Sequence, residues 1–141
     1  MSEGIVTPTS QVHELFDALA YGELDRFLAG TCDDLVLTVS GSGRRTTLVA
    51  RDEIPAWYGS MQALAGSSFS SDVRLVLAEE RTFVVMLRHT LSRDGVEYQY
   101  ETVNHCTFRD GGLASWFSHP VRASDYARAW GIHHQLDRKS A

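Results

Sequence analysis

The chain has 141 residues, of which 43% are hydrophobic and 22% charged, and carries a formal net charge of −5. A chain this long closes one core without disulfide or metal staples. An acidic balance gives nucleic acid or an anionic membrane no electrostatic reason to be a partner. The two cysteines, Cys32 and Cys106, have no metal-ligand spacing and suit a reducing compartment. Met1-Ser2-Glu3-Gly4 lacks the basic start and apolar run of a signal peptide, and no apolar run approaches a membrane span. The expectation is a cytoplasmic chain with no metal and no cofactor.

Residues 1–8 read as a flexible arm ending at Pro8. Thr9 or Ser10 caps a helix through Ala20, with Val12, Leu15, Phe16 and Leu19 on one face, and Gly22 breaks it. Glu23 to Ala29 is a second short helix stopped by Gly30. Leu35 to Val39 is a first strand, Gly41-Ser42-Gly43 a loop, and Thr46 to Val49 a short second strand. Asp52 caps a third helix that tolerates Pro55 in its first turn and turns Ile54, Trp57, Tyr58, Met61 and Leu64 inward. Phe69 to Leu77 is a strand with its turn at Glu79-Glu80. Two hairpins follow, then Pro120 and a last short helix from Ser124 or Asp125 to Gly131. Residues 9–131 thus form a single domain, and 132–141 a flexible tail.

The hairpins from Phe83 to His119 organise the chain. Asp94-Gly95 and Asp110-Gly111 are type I′ turn signals, because both central residues of that turn need positive φ. The first turn sets Leu91 opposite Tyr98, His89 opposite Tyr100, Leu87 opposite Thr102, Val85 opposite Asn104 and Phe83 opposite Cys106. The second sets Phe108 opposite Leu113, Asn104 opposite Phe117 and Thr102 opposite His119. Directly opposed residues share a face. One face therefore carries an apolar wall with His89, Tyr100, Thr102, Asn104, Cys106 and His119 among its members, the pattern of a small-molecule pocket. Gly111-Gly112 is the alternative second turn, and that slip would send His119 to the other face. The opposite face has Arg88 across from Glu101, and holds Val84, Met86, Val103 and Trp116. A face that apolar predicts a homodimer through Met86, Val103 and Trp116.

Helices set apart from a curved antiparallel sheet make an α+β domain. The stretch from Leu15 to Asp25 (LFDALAYGELD), then Cys32-Asp33-Asp34-Leu35-Val36, resembles the start of the nuclear transport factor 2-like superfamily. Thr107 to Leu113 (TFRDGGL) is similar to its last hairpin. The resemblance runs from Val12 to Gly131 and lies nearest the SnoaL-like branch, which includes polyketide cyclases beside ketosteroid isomerases. It implies a cone-shaped sheet wrapped on three N-terminal helices, a deep hydrophobic pocket, and often a dimer. The isomerases of this fold use a tyrosine, an aspartate base and an acid, where this chain has Leu15, Val39 and Asn104. The SnoaL-like cyclases place a histidine and an acid where it has Asn104 and His119. Tyr58 matches a pocket-lining tyrosine of the isomerases.

The expected catalytic group is His89, His119, Asn104 and Tyr100. His89 would carry the proton, since its ordinary pKa lies near neutrality. Asn104 and Tyr100 would hold a substrate oxygen, with His119 as a second acid–base residue. Leu15, Val39, Trp57, Tyr58 and Met61 are expected to line the pocket with Val85, Leu87, Thr102, Cys106 and Phe117. Cys106 reads as a small buried hydrophobe, and His13, His133 and His134 as exposed. Together they describe a cofactor-independent acid–base enzyme acting on an apolar oxygenated small molecule by cyclisation, isomerisation or dehydration. The alternative is a non-catalytic binding or dimeric interaction domain, which the missing aspartate base favours.

Overall fold

Two Asp-Gly turns generate most of the sheet. Asp94 and Gly95 have φ of 56° and 78°, and Asp110 and Gly111 of 55° and 81°, the left-handed pairs a type I′ turn requires. The computed structural model describes residues 8–40, 46–79 and 81–131. The expected Gly41-Ser42-Gly43 loop, the 132–141 tail, Glu80 and all but Pro8 of the N-terminal arm lie outside them.

The elements are α1 (Thr9–Ala20), α2 (Leu24–Ala29), β1 (Thr31–Ser40), β2 (Thr46–Ala50), a 3₁₀ turn (Arg51–Glu53), α3 (Ile54–Leu64), β3 (Ser70–Glu79), β4 (Thr82–Arg93), β5 (Val96–Arg109), β6 (Gly112–Pro120) and α4 (Ala123–Trp130). The strands form one curved, open sheet in the order β2-β1-β6-β5-β4-β3. The fold class is α+β, as expected, and the sheet is antiparallel except where β1 lies parallel to β6. That joint carries a long crossover, because parallel neighbours cannot be closed by a hairpin.

β4 and β5 pair without a break from Arg93↔Val96 to Thr82↔Thr107, in the register set by the first turn. The second hairpin departs from its expected register. Phe108 pairs with Leu113 but Thr107 pairs with Ser115, so Ala114 is an extra, bulged residue. Every β6 side chain beyond it changes face. Trp116, expected on the outer face, is 3% exposed, and Phe117, expected in the pocket, is 43% exposed. His119 likewise lies outside, its Nε2 3.3 Å from Nε2 of His105. Burial gives the reason. The Trp116 ring packs edge-on to Phe16 at 5.3 Å and tilted to Phe27 at 5.6 Å. Its indole N–H finds a buried acceptor in Asn104. Removing a large aromatic surface from water while satisfying its one polar atom outweighs an unbroken ladder.

A second bulge sits in β3. Val73 pairs with Leu87 and Leu75 with Met86, leaving Arg74 extra. It sets Ser71 opposite His89, and Asp72, which plain counting from the turn would put there, opposite Arg88.

The helices close the inner face of the sheet. α1 buries Val12, Leu15, Phe16 and Leu19. Its N-cap is Pro8, with no side-chain cap bond from Thr9 or Ser10. α3 starts after the 3₁₀ turn, where the Glu53 carboxylate accepts the Ala50 N–H at 2.9 Å, in place of an Asp52 cap. Leu64, expected inward, is exposed. Ile54, Tyr58, Met61 and Ala65 follow one i, i+4, i+7, i+11 stripe, and Leu64 lies off it. Gly131 ends α4 at φ 71°. Arg93 donates to the carbonyls of Ala129 and Arg128, at 2.8 and 3.2 Å, and anchors α4 over the sheet. Among the described residues no helix is long and apolar enough to cross a membrane.

Candidate functional site

A cavity of about 50 Å³ lies between the inner sheet face and helices α1, α3 and α4. Phe16 and Leu19 come from α1, Trp57, Tyr58 and Met61 from α3, and Tyr126 from α4. The sheet side adds Val39, Leu87 and Trp116, with Ser71, His89, Tyr100, Thr102, Asn104 and Ser118 as polar members. Among the described residues no Asp, Glu, Lys or Arg lines it. That volume has room for a few waters. Ligands of drug size occupy roughly 300–1,000 Å³, so one of that size would enter only by moving wall side chains.

The polar groups form a chain whose direction follows from donor and acceptor counting. Trp116 Nε1–H donates to Asn104 Oδ1 at 2.8 Å. That contact fixes the Asn104 amide, whose Nδ2 donates both to the Val85 carbonyl at 3.1 Å and to Thr102 Oγ1 at 3.0 Å. Thr102 Oγ1 lies 2.8 Å from His89 Nε2, and His89 Nδ1 lies 2.8 Å from Ser71 Oγ. With Oγ1 accepting from Asn104, its own proton has His89 Nε2 as acceptor. The imidazole then carries its hydrogen on Nδ1 and donates it to Ser71. This tautomer is assigned from the bonding pattern. It leaves no buried hydroxyl proton stranded at Thr102.

His89 is also gripped through its faces, stacked on Phe69 at 5.4 Å and on Tyr100 at 4.7 Å. Burial pushes its pKa down from 6.5 to about 3, because a charged imidazole would lose its hydration. The expected proton carrier is thus a neutral ring with both nitrogens engaged. Burial raises the Tyr100 phenol far above its usual range, against the opposing effect of the Trp130 indole N–H, 3.1 Å from its oxygen. Burial likewise raises the Tyr126 phenol and the Cys106 thiol. The site is a neutral one, built of hydroxyls, an amide and an uncharged imidazole.

Of the residues expected here, the structure brings together His89, Tyr100, Thr102, Asn104, Val39, Trp57, Tyr58, Met61 and Leu87 at the cavity wall. Leu15, Val85 and Cys106 are buried in the core but line none of this cavity. Phe117 and His119 lie on the outer face, for the reason given by the Ala114 bulge. Asn104 is fully buried, and both its amide hydrogens are spent within the protein, so it has none left to hold a substrate oxygen. Ser71, Phe69, Ser118, Trp116 and Tyr126 escaped the sequence reading. Only the β3–β4 pairing signals Ser71, and only once the β3 bulge is known. Among the described residues no group of three or more His, Cys, Asp or Glu could hold a metal ion.

Residues 12–116 match the sequence profile of the SnoaL-like domain. The chain belongs to the SnoaL-like domain family. No curated protein matches its sequence. Among solved structures, this SnoaL-like chain is similar to Bal32a, from a soil-derived mobile gene cassette, with TM-score 0.77 and 17% identity over 86% of this chain and 95% of that one. It is similar to TerC, co-crystallised with polyporic acid, with TM-score 0.72 and 14% identity over 87% and 97% of the two chains. The candidate polyketide cyclase IdmH of Streptomyces antibioticus superimposes with TM-score 0.71 and 14% identity, over 89% and 99%. Identities this low establish a shared fold.

Proposed function

We propose that this chain is a cofactor-independent protein of the cyclase type, which takes up one neutral, apolar, oxygenated small molecule and promotes its cyclisation, isomerisation or dehydration. The observation that carries the reading is an apolar cavity whose polar members are all uncharged. Such a wall admits a ketone, quinone or phenol and excludes a carboxylate or ammonium, whose desolvation nothing inside would offset. The Tyr100 hydroxyl faces the substrate oxygen, and His89, neutral and bonded at both nitrogens, helps to stabilise the charge that develops there through the polar chain it belongs to. The fold shared with the candidate cyclase IdmH and with TerC, which holds polyporic acid, supports a small-molecule role.

One observation favours a non-catalytic binding module instead. Among the described residues no carboxylate lines the cavity, and Val39 stands where the resembled isomerases carry their base. A panel of neutral ketones, enols and epoxides separates the readings. Trp57 and Trp116 report binding by fluorescence, and mass spectrometry reports turnover. Binding with product formation is the expected result, with neutral compounds at least about tenfold tighter than carboxylated counterparts. Binding without product supports the module. Tighter binding of the carboxylated compounds sinks both.

We also infer a homodimer through the outer sheet face, where Phe117 takes the place expected for Trp116 beside Met86 and Val103. Leu75, Leu77 and Phe117 are exposed there. Light scattering should give a dimer mass at micromolar concentration and a monomer for Phe117→Glu; a wild-type monomer overturns it. A cytoplasmic setting goes with this reading, since Cys32 and Cys106 are both free.

A further inference from the structure

The polar chain behind the cavity runs one way. Trp116 donates to Asn104, Asn104 to Thr102, Thr102 to His89 and His89 to Ser71. Each member accepts from behind and donates ahead, so each bond polarises the next. The last member is the Ser71 hydroxyl, which lines the cavity. Its oxygen accepts from His89 Nδ1–H, and among the described residues its own proton has no protein acceptor. A hydroxyl that accepts a hydrogen bond is a stronger donor for it.

We propose that Ser71 is the donor that grips the ligand's oxygen, and that His89 and Thr102 are positioning residues that aim its proton into the cavity. The proposal rests on the small-molecule reading above and deepens it. The ligand must present an acceptor, a carbonyl or quinone oxygen, at the β3 side of the pocket. The reverse direction, Ser71 donating to His89, would exhaust Ser71 and strand the proton of buried Thr102. Asn104 cannot substitute, since both its hydrogens are taken.

The first test needs no ligand. ¹⁵N chemical shifts of the His89 ring in the intact protein should show Nδ1 protonated and Nε2 bare, and a proton on Nε2 overturns the direction of the chain. The second uses a matched pair of probes, indan-1-one and indane, which share a frame and differ in the carbonyl. Wild type should prefer the ketone by about three- to tenfold, the range for one neutral hydrogen bond. Ser71→Ala should erase that preference while leaving indane affinity unchanged, and Ser71→Thr, which keeps the hydroxyl, should retain it. The infrared carbonyl stretch of bound indan-1-one should move to lower frequency in wild type and return toward its free value in Ser71→Ala. Thr102→Val should shift it part of the way back, because it removes the proton that Thr102 gives His89. An unchanged ketone preference and stretch in Ser71→Ala overturn the role of Ser71 alone. Failure of wild type to bind either probe overturns the small-molecule reading, and this proposal with it.

Discussion

The two hairpins of the sheet share one turn chemistry and diverge within a few residues of it. Both turn on Asp-Gly with nearly identical φ values. From Asp94-Gly95 the ladder runs through twelve pairs without a fault. From Asp110-Gly111 it keeps its expected register for two pairs, Arg109↔Gly112 and Phe108↔Leu113, and then bulges at Ala114. A turn specifies register only as far as the first residue whose burial conflicts with it. β4 and β5 alternate correctly for their whole length, so nothing there competes with the turn. In β6 strict alternation would have put the Trp116 indole in solvent and Phe117 inside. The bulge exchanges them, and gives Asn104 Oδ1 its donor.

The comparison breaks most sharply at Trp116. Trp116→Ala should destabilise the fold by about 3–5 kcal/mol in urea denaturation, through lost packing on Phe16 and Phe27 and an orphaned Asn104 carbonyl. Phe117→Ala, one residue on and 43% exposed in the protomer, should change the stability of the protomer itself by no more than about 1 kcal/mol. Equal losses would mean that the bulge is not where Ala114 lies.

The unbroken hairpin has its own signature in His89. Its folded pKa, about 3, lies below the unfolded value of 6.5, so the unfolded chain binds the extra proton first. The stability His89 permits is therefore complete above pH 6.5 and falls as the pH drops toward 3. Between pH 7 and pH 4.5 the wild type should lose about 2–3 kcal/mol that His89→Gln does not lose, read as the difference in urea midpoints. A wild-type slope equal to that of the variant would place a protonated imidazole in the cavity. Gln cannot reproduce the stacking on Phe69 and Tyr100, so the variant should also start from a lower stability at pH 7.

A finer comparison uses the turns alone. A Cβ at Gly95 or Gly111 meets nothing within 4 Å, so Gly→Ala tests only the backbone at positive φ. Each should lose about 1–2 kcal/mol, and the two losses should agree. A larger loss at Gly111 would show that the second turn carries strain from the bulge beyond it. The smallest effect belongs to Arg88 and Glu101, 3.6 Å apart on the outer face of the first hairpin. Arg88→Ala should change the urea midpoint by the equivalent of less than about 0.5 kcal/mol.

Most of the scaffold was legible because its signals are local. Helical spacing of Val12, Leu15, Phe16 and Leu19 marks α1, and Asp-Gly pairs mark the turns. Alternation sends His89, Tyr100, Thr102 and Asn104 to one face. The failures share a cause. Counting past Ala114 puts Phe117, His119 and Trp116 on the wrong faces, and the partnership of Ser71 with His89 depends on the Arg74 bulge. Bulges answer to contacts with other elements, which no local pattern contains.

The sequence by itself determined the α+β class, the element order, both Asp-Gly turns and the inner face of β4 and β5, because each follows from backbone preference or period-two alternation. The tertiary structure alone decided which β6 residues face the core, that β1 lies parallel to β6, and that His89 meets a serine rather than an aspartate. It also decided the protonation logic of the site. An imidazole near neutrality by composition becomes an uncharged link between two hydroxyls once Phe69, Tyr100 and the sheet remove its water. Register can be read from neighbours in the chain, but desolvation is imposed by neighbours in space.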